Sequence, residues 1–179
     1  MFGFAYGEKE NGGVFSHMAV MYANALYRRG YAREGWKALK ALADNALHFE
    51  RSRIYPGIPE YFRSDGRGMY HYLTGAASWY LLTMVTEVFG VRGRDGDLVI
   101  APKLLPEQFD GEGKASVSLT FAGKALEVVI HNPMGTGSAA VSAAACNGAA
   151  LEVRDGAAVL PRTLLNALPG TGNRIDIAL

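Results

Sequence analysis

Two short stretches of the sequence contain the residue types from which a site for a polar ligand is built. The first runs Lys9-Glu10-Asn11-Gly12-Gly13-Val14-Phe15-Ser16-His17, and the second contains Thr74-Gly75. Glycines let a backbone approach a ligand closely. The free N–H groups at the start of a helix favour an anion. A histidine, a hydroxyl and such a helix start are therefore suitable for phosphate, and paired charges are suitable for polar hydroxyl groups.

Each of these residues also has an ordinary structural interpretation. A histidine near a helix start can satisfy a local hydrogen bond, and Thr74 is a good N-cap. Lys9 and Glu10 can form a solvated ion pair of little energetic value. Glu60 lies in an irregular loop, where surface exposure is the default. From the residues alone both interpretations stay open, and the structural one is favoured for Thr74.

The secondary-structure elements that must position these candidate site residues are predicted to be helices, and they lie in the first half of the chain. Apolar residues at three- and four-residue spacings predict helices over residues 14–29 and 32–48. A third helix is predicted over residues 74–89; it is apolar on nearly all sides and is expected to be the most buried. The apolar stripe of the first helix is Val14, Met18, Met21, Tyr22, Ala25 and Leu26. Between the second and third helices, residues 51–71 form an irregular loop rich in aromatic residues.

After residue 93 the pattern changes to short segments separated by glycine-containing turns. Strands are predicted over residues 97–102, 115–121, 125–131, 138–145, 149–154, 157–160 and 174–179. These strands are typical of a small antiparallel β-sandwich. The sequence therefore predicts an α+β protein with a helical part over residues 1–93 and a β-sandwich domain over residues 94–179.

Composition excludes several classes of function. The formal net charge is +1, from 18 basic and 17 acidic residues, so nothing favours nucleic acid or an anionic membrane as a partner. Cys146 is the single cysteine, and no metal-ligand spacing or cofactor fingerprint is present. No apolar stretch is long enough to span a membrane, and no signal peptide is recognisable. We expect a soluble, cytoplasmic protein without a metal or a cofactor.

Three segments together resemble family 94 of the glycoside hydrolases. They are residues 9–17, the segment Tyr72-Leu73-Thr74-Gly75-Ala76-Ala77-Ser78-Trp79, and residues 88–102. This family contains cellobiose, cellodextrin, chitobiose and laminaribiose phosphorylases and the phosphorylase-like part of cyclic β-1,2-glucan synthases. The resemblance covers roughly residues 3–131.

The resemblance implies the last helices of an (α/α)6 barrel followed by a jelly-roll-like β-sandwich. It also implies a reaction in which phosphate, as co-substrate, attacks a β-linked gluco-oligosaccharide with inversion and releases an α-sugar 1-phosphate. By their positions in the motifs, the resemblance assigns phosphate binding to His17, Thr74 and Gly75. It assigns sugar binding to Lys9 and Glu10. Phe4 lies where some members of the family have a tyrosine that faces the sugar, and Glu60 takes the place of a glutamine of the family that has no match in this sequence.

The general acid of the family is an aspartate upstream of the first motif. The eight residues before Lys9 contain no aspartate. We therefore expect a C-terminal piece of a larger phosphorylase, inactive alone, whose partner is the missing part of the barrel. Two alternatives stay open: a non-catalytic carbohydrate-binding module, and one subunit of a split phosphorylase. A homodimer is compatible with each.

Overall fold

The α+β class predicted from the sequence is found in the structure. The structure is a computed structural model that describes residues 3–54, 57–71, 75–133, 135 and 140–179. It divides into two units, Met1–Thr83 and Met84–Leu179, of which the first is mainly helical and the second β-rich. The domain division at residues 93 and 94 stays a prediction, as does the barrel.

The helices begin and end close to the residues that the periodicity predicts. They are α1 Ser16–Arg28, α2 Ala32–Leu47, α3 Phe49–Ser52, α4 Gly75–Thr83 and α5 Arg162–Ala167. A π-helical turn, Met84–Val88, follows α4, and a 3-10 turn spans Pro106–Gln108. The two short helices α3 and α5 are not predicted, because four to six residues are too few to show a helical period.

The long helices of the first unit pack through small residues and a few polar contacts. Gly35 of α2 lies so close to α1 that a β-carbon there would stand 2.5 Å from the ring of Tyr27. Asn24 of α1 donates a hydrogen bond to the hydroxyl of Thr83 on α4 at 3.1 Å. The core of this helical layer consists of fully buried residues, chiefly Val20, Ala23, Tyr27 and Leu39.

The apolar stripe of α1 lies on the opposite side from this core. The exposed fractions of Met18, Met21 and Tyr22 are 68%, 46% and 62%. The prediction that the third helix is the most buried is wrong, since Leu81 and Leu82 of α4 are 66% and 48% exposed. The physical reason is that the described residues provide no layer of structure that packs against these faces of α1 and α4. Their apolar side chains therefore stay exposed although the sequence pattern is that of a buried helix face.

A three-stranded sheet joins the start of the predicted first helix to the segment that the sequence presents as irregular. Its strands are β1 Val14–Phe15, β2 Tyr61–Phe62 and β3 Gly68–Met69, paired antiparallel in the order β1-β2-β3. The register sets Phe15 opposite Tyr61 and Tyr61 opposite Met69. This small sheet fixes the entry of the chain into α1.

The second unit contains two larger sheets. Their strands are β4 Val91–Arg94, β5 Asp97–Ile100, β6 Lys114–Phe121, β7 Lys124–His131, β8 Ala143–Cys146, β9 Ala149–Ala150, β10 Glu152–Arg154, β11 Ala157–Leu160 and β12 Asn173–Ala178. The orders are β10-β11-β5-β4 and β6-β7-β12-β8-β9. Alternate residues are buried along β5, β11 and β12, which gives each sheet one core face.

The strand pairing of the second unit is not antiparallel throughout, which corrects the sequence-based prediction. Strand β12 pairs antiparallel with β8 but parallel with β7, with Ile175 opposite Val128. Parallel neighbours need a long crossover. Here the chain passes through β8 to β11 and the unpredicted helix α5 before it returns as β12. The pairing is therefore long-range and leaves no local signal.

Candidate functional site

A tight turn precedes α1 and presents the charged pair of the first motif. The N–H of Gly7 donates to the carbonyl of Asn11 at 2.7 Å, and the N–H of Gly13 donates to the carbonyl of Lys9 at 2.9 Å. The side-chain amide of Asn11 donates to the carbonyl of Phe4 at 2.9 Å. Asn11 therefore has a structural role in this turn, and it ties the backbone of Phe4 to the segment that holds Lys9.

Gly13 is required by the close packing of this turn on β2. A β-carbon at residue 13 would stand 2.6 Å from the carbonyl oxygen of Lys9 and 2.9 Å from the ring of Tyr61. Gly12 has a φ of 95°, in the left-handed region that favours glycine. The glycine pair of the motif is thus explained by geometry within the chain.

His17 and Gly75 are brought into contact by the packing of α1 on α4. His17 lies in the first turn of α1, and Gly75 is the first residue of α4. A β-carbon on Gly75 would stand 2.8 Å from Cε1 of the imidazole, so the ring rests directly on the glycine backbone. The ring of Trp79, one turn further along α4, lies 5.7 Å from that of His17 between centroids. Thr74 lies outside the described residues.

The imidazole of His17 has an unused polar atom. Its Nε2 is buried and has no hydrogen-bond partner among the described residues; the same is true of the hydroxyl of Ser16. A buried polar atom without a partner costs about 1–3 kcal/mol, so such atoms often face a ligand or an ordered water. The site therefore offers a nitrogen that can donate or accept, depending on the tautomer.

The predicted sugar-site residues lie around the turn and the small sheet. The side chain of Glu10 is exposed, and Phe4 is 43% exposed. Lys9 is partly buried, with its Nζ 4.3 Å above the ring centroid of Tyr70. Glu60 is partly buried, and its carbonyl accepts a hydrogen bond from the N–H of Ser16 at 2.9 Å, which attaches it to the start of α1.

Sequence reasoning missed the aromatic residues that support these side chains. Tyr61 is 2% exposed. The centroid of its ring lies 5.4 Å from that of Phe15 and 5.9 Å from that of Tyr70, and the rings are tilted to one another in both pairs. Burial raises the pKa of Tyr61, and a hydrogen bond from the backbone N–H of Lys9 to its hydroxyl oxygen opposes that rise. The aromatic density of residues 51–71 was the available signal, but the density alone does not say which ring meets which side chain.

Two further features are absent from the described residues. No group of three or more His, Cys, Asp or Glu side chains in the described ranges is placed to hold a metal ion. In the same ranges, none of the helices has the length and hydropathy needed to cross a bilayer.

Comparison with known proteins relates this chain to two carbohydrate enzymes. It is 30% identical over 115 residues to cyclic β-(1,2)-glucan synthase NdvB of Rhizobium meliloti, an alignment that covers 59% of this chain and 4% of that protein. It is 25% identical over 112 residues to cellobionic acid phosphorylase of Neurospora crassa, covering 56% of this chain and 14% of that protein. No family model matches the chain.

The chain therefore spans only a small part of the length of the relatives that it matches. Those relatives are named as a glucan synthase and as a phosphorylase, so the relatives are carbohydrate-active enzymes that transfer glycosyl groups or act as phosphorylases. This agrees with the broad class of the resemblance seen in the motifs.

Proposed function

We propose that this chain forms the C-terminal part of an inverting β-glycoside phosphorylase of glycoside hydrolase family 94. In this proposal it provides the phosphate subsite and part of the sugar site. The observation that carries the proposal is the contact between His17 and Gly75, which joins two predicted phosphate residues from distant parts of the sequence at the starts of two helices.

The chemistry of this contact fits a phosphate dianion. The start of α4 is the positive end of the helix dipole, which favours an anion. The buried Nε2 of His17 can donate one hydrogen bond, and the hydroxyl of Thr74 is expected to add another. The site has few full charges, so phosphate would be bound without losing its ability to act as a nucleophile.

The proposed reaction is a single displacement. A phosphate oxygen forms a bond to the anomeric carbon of a β-linked glucoside while the bond from that carbon to the bridging oxygen breaks. A carboxylic acid protonates the leaving oxygen, and the product is an α-sugar 1-phosphate. His17 and the start of α4 orient the phosphate, whereas Lys9 and Glu10 bind sugar hydroxyls, which both donate and accept hydrogen bonds. Phe4 and Glu60 border the same sugar site.

The proposal assigns the general acid to sequence outside this chain. It also gives the exposed apolar side chains of α1 and α4 a role: they are the surface on which further barrel helices pack. Without the acid the leaving oxygen departs as an alkoxide, which slows the step by about 10²–10⁴. With further barrel helices also absent, the chain alone is expected to bind phosphate without turnover.

Calorimetric titration with phosphate tests the assignment. The native chain should bind phosphate, the His17→Ala variant should not, and the control His48→Ala, which changes an exposed histidine after α2, should bind as the native chain does. Equal binding by the native chain and His17→Ala would refute the phosphate site.

The same titrations separate the alternative functions. A carbohydrate-binding module would bind a soluble β-glucan and give no heat with phosphate. One subunit of a split phosphorylase would release sugar 1-phosphate when mixed with a folded upstream fragment, and the absence of release from that mixture would exclude the split arrangement.

A further inference from the structure

Lys9 and Tyr70 share an uncommon backbone conformation. Lys9 has a φ of 41° and Tyr70 a φ of 57°, and neither is a glycine. The left-handed region is unfavourable for residues with a β-carbon, and it persists where the surrounding structure enforces it. Such residues cluster at ligand sites. Here two of them, distant in sequence, meet through their side chains.

Lys9 and Tyr70 form a cation–π contact, and the ring of Tyr70 is itself held in place by neighbouring residues. The Nζ of Lys9 lies 4.3 Å from the centroid of Tyr70, within the roughly 6 Å range of such contacts. Tyr70 itself rests 5.9 Å from the ring of Tyr61, and its carbonyl accepts a hydrogen bond from the N–H of Glu60 at 3.0 Å. The ring of Tyr70 is therefore held on the side of β2.

The backbone of Lys9 is fixed by the same layer. Its N–H donates to the hydroxyl of Tyr61, and its carbonyl accepts from Gly13 at 2.9 Å. Lys9 is thus held at both ends, by Tyr61 at the backbone and by Tyr70 at the ammonium. Because the ammonium covers one face of the Tyr70 ring, that face is not free to stack on a sugar.

We propose that Tyr70 is the positioning residue for Lys9 in the sugar site, a role that rests on the function proposed above. The lysine side chain has a flexible stem of four carbons, and holding its ammonium in place before a ligand arrives reduces the entropy lost on binding. Tyr70 acts through Lys9 and need not touch the sugar.

The contact itself is measured by carbon–proton NMR of the lysine Cε groups. The chain has six lysines, and the signal that disappears in Lys9→Arg belongs to Lys9. Protons above an aromatic ring are shifted upfield. We expect an upfield Lys9 signal in the native chain and in Tyr70→Phe, and a signal at the ordinary lysine position in Tyr70→Leu. An ordinary position in the native chain would overturn the proposal.

The role is measured by titration of the same variants with cellobiose. Tyr70→Leu should weaken binding about three- to tenfold, Tyr70→Phe should restore it, and the control Tyr31→Leu, at an exposed tyrosine before α2, should match the native chain. Circular dichroism verifies that each variant is folded. Unchanged binding in a Tyr70→Leu chain that has lost the upfield signal would overturn the positioning role.

The two proposals fail in different ways. If Lys9→Met binds cellobiose as well as the native chain does, the sugar contact of Lys9 in the proposed function is refuted, even when the upfield signal is present. If Lys9→Met loses binding while Tyr70→Leu retains it, the sugar contact stands and Tyr70 is refuted as its positioning residue.

Discussion

The imidazole of His17 rests on the backbone of Gly75, with only 2.8 Å between ring atom Cε1 and the position that a β-carbon on residue 75 would occupy. This contact leaves no space for any side chain at the first residue of α4. It also places a buried nitrogen that has no partner among the described residues next to the start of a helix.

Substituting Gly75 with alanine should displace the imidazole. Alanine is intrinsically the better helix residue, yet overpacking a filled site usually costs about 1–3 kcal/mol. We expect Gly75→Ala to lower the free energy of unfolding in urea and to lose phosphate binding. The matched control is Gly111→Ala, where a β-carbon meets no atom within 4 Å and φ is not left-handed. Native-like stability of Gly75→Ala would show that the ring moves aside freely.

Replacing His17 by leucine should separate stability from binding. The change removes a buried polar atom whose lack of a partner costs about 1–3 kcal/mol. In phosphate-free buffer, His17→Leu should therefore unfold at the same temperature as the native chain or higher. Phosphate at about 100 times its Kd should stabilise the native chain by about 2.7 kcal/mol and leave the variant unchanged. Differential scanning calorimetry measures both; a large destabilisation without phosphate would contradict the expectation.

The buried carboxylate of Glu87, in the second unit, should be stabilised jointly by two positively charged side chains. Oε2 of Glu87, whose side chain is 5% exposed, lies 3.0 Å from Nζ of Lys103 and 3.3 Å from an Nη of Arg92. Glu87→Gln should cost about 1–3 kcal/mol, less than a fully buried pair would, because both bases are partly exposed.

The contributions of Lys103 and Arg92 to the free energy of unfolding should also be coupled. The double variant of Lys103→Met and Arg92→Met should cost more than the sum of the single changes, since only then is the carboxylate left without either base. Lys40→Met, which removes an exposed i,i+4 partner of Asp44, serves as the control with little effect. Additive costs in urea denaturation would contradict the coupling.

Asp176 should give the second unit a pH-dependent contribution to stability. A hydrogen bond from Arg174, and a further one with His131 at 3.0 Å, hold the pKa of Asp176 below its ordinary value of 3.8. Because the folded pKa is the lower one, the contribution is present above the unfolded value and is lost as the pH falls through the folded value. Asp176 is 40% exposed, so the effect is expected to stay below about 1 kcal/mol.

The measurement compares urea midpoints of the native chain and Asp176→Asn across pH. The native chain should be more stable at about pH 5–7, and the difference should shrink as the pH falls below about 4, the ordinary pKa of an aspartate. Asp95→Asn, at a side chain that is 94% exposed, should show no such dependence. A difference that grows in acid would have the wrong sign and would refute the assignment.

The exposed apolar faces of α1 and α4 should contribute to association and little to folding. Met21→Gln and Leu82→Gln should change the free energy of unfolding by less than about 0.5 kcal/mol. Leu39→Ala, at a fully buried position, should lower it by about 2–5 kcal/mol. Light scattering should show less self-association for the two glutamine variants. A loss of stability in Leu82→Gln comparable to that of Leu39→Ala would show that this face is already part of the core.

Local chemistry made the turns of the second unit predictable. Asp95, Asn147 and Asp155 each take a left-handed φ and are followed by a glycine that does the same. These Asp-Gly and Asn-Gly pairs form such turns from their own preferences. Helix ends were predictable for the same reason, since Gly30 follows α1 with a φ of 87°.

Long-range relationships were not predictable in this way. The parallel pairing of β7 with β12 and the pairing of β1 with β2 join segments distant in sequence, and both were missed. In the site, the motifs identified His17 and Gly75, and the structure brings them into contact; their phosphate role stays a prediction. Tyr61 and Tyr70 were not singled out, because one aromatic residue in a loop resembles any other.

The sequence by itself determined the α+β class, the three long helices, the turns and the residues capable of chemistry, because these depend on side-chain type and on spacing along the chain. Only the tertiary structure decided which face of α1 is buried, that His17 rests on Gly75, and that Lys9 lies over Tyr70. The physical reason is that burial and cation–π contacts need two partners close in space. The apolar stripe of α1 illustrates this, since it has the right pattern for a core and yet faces solvent among the described residues.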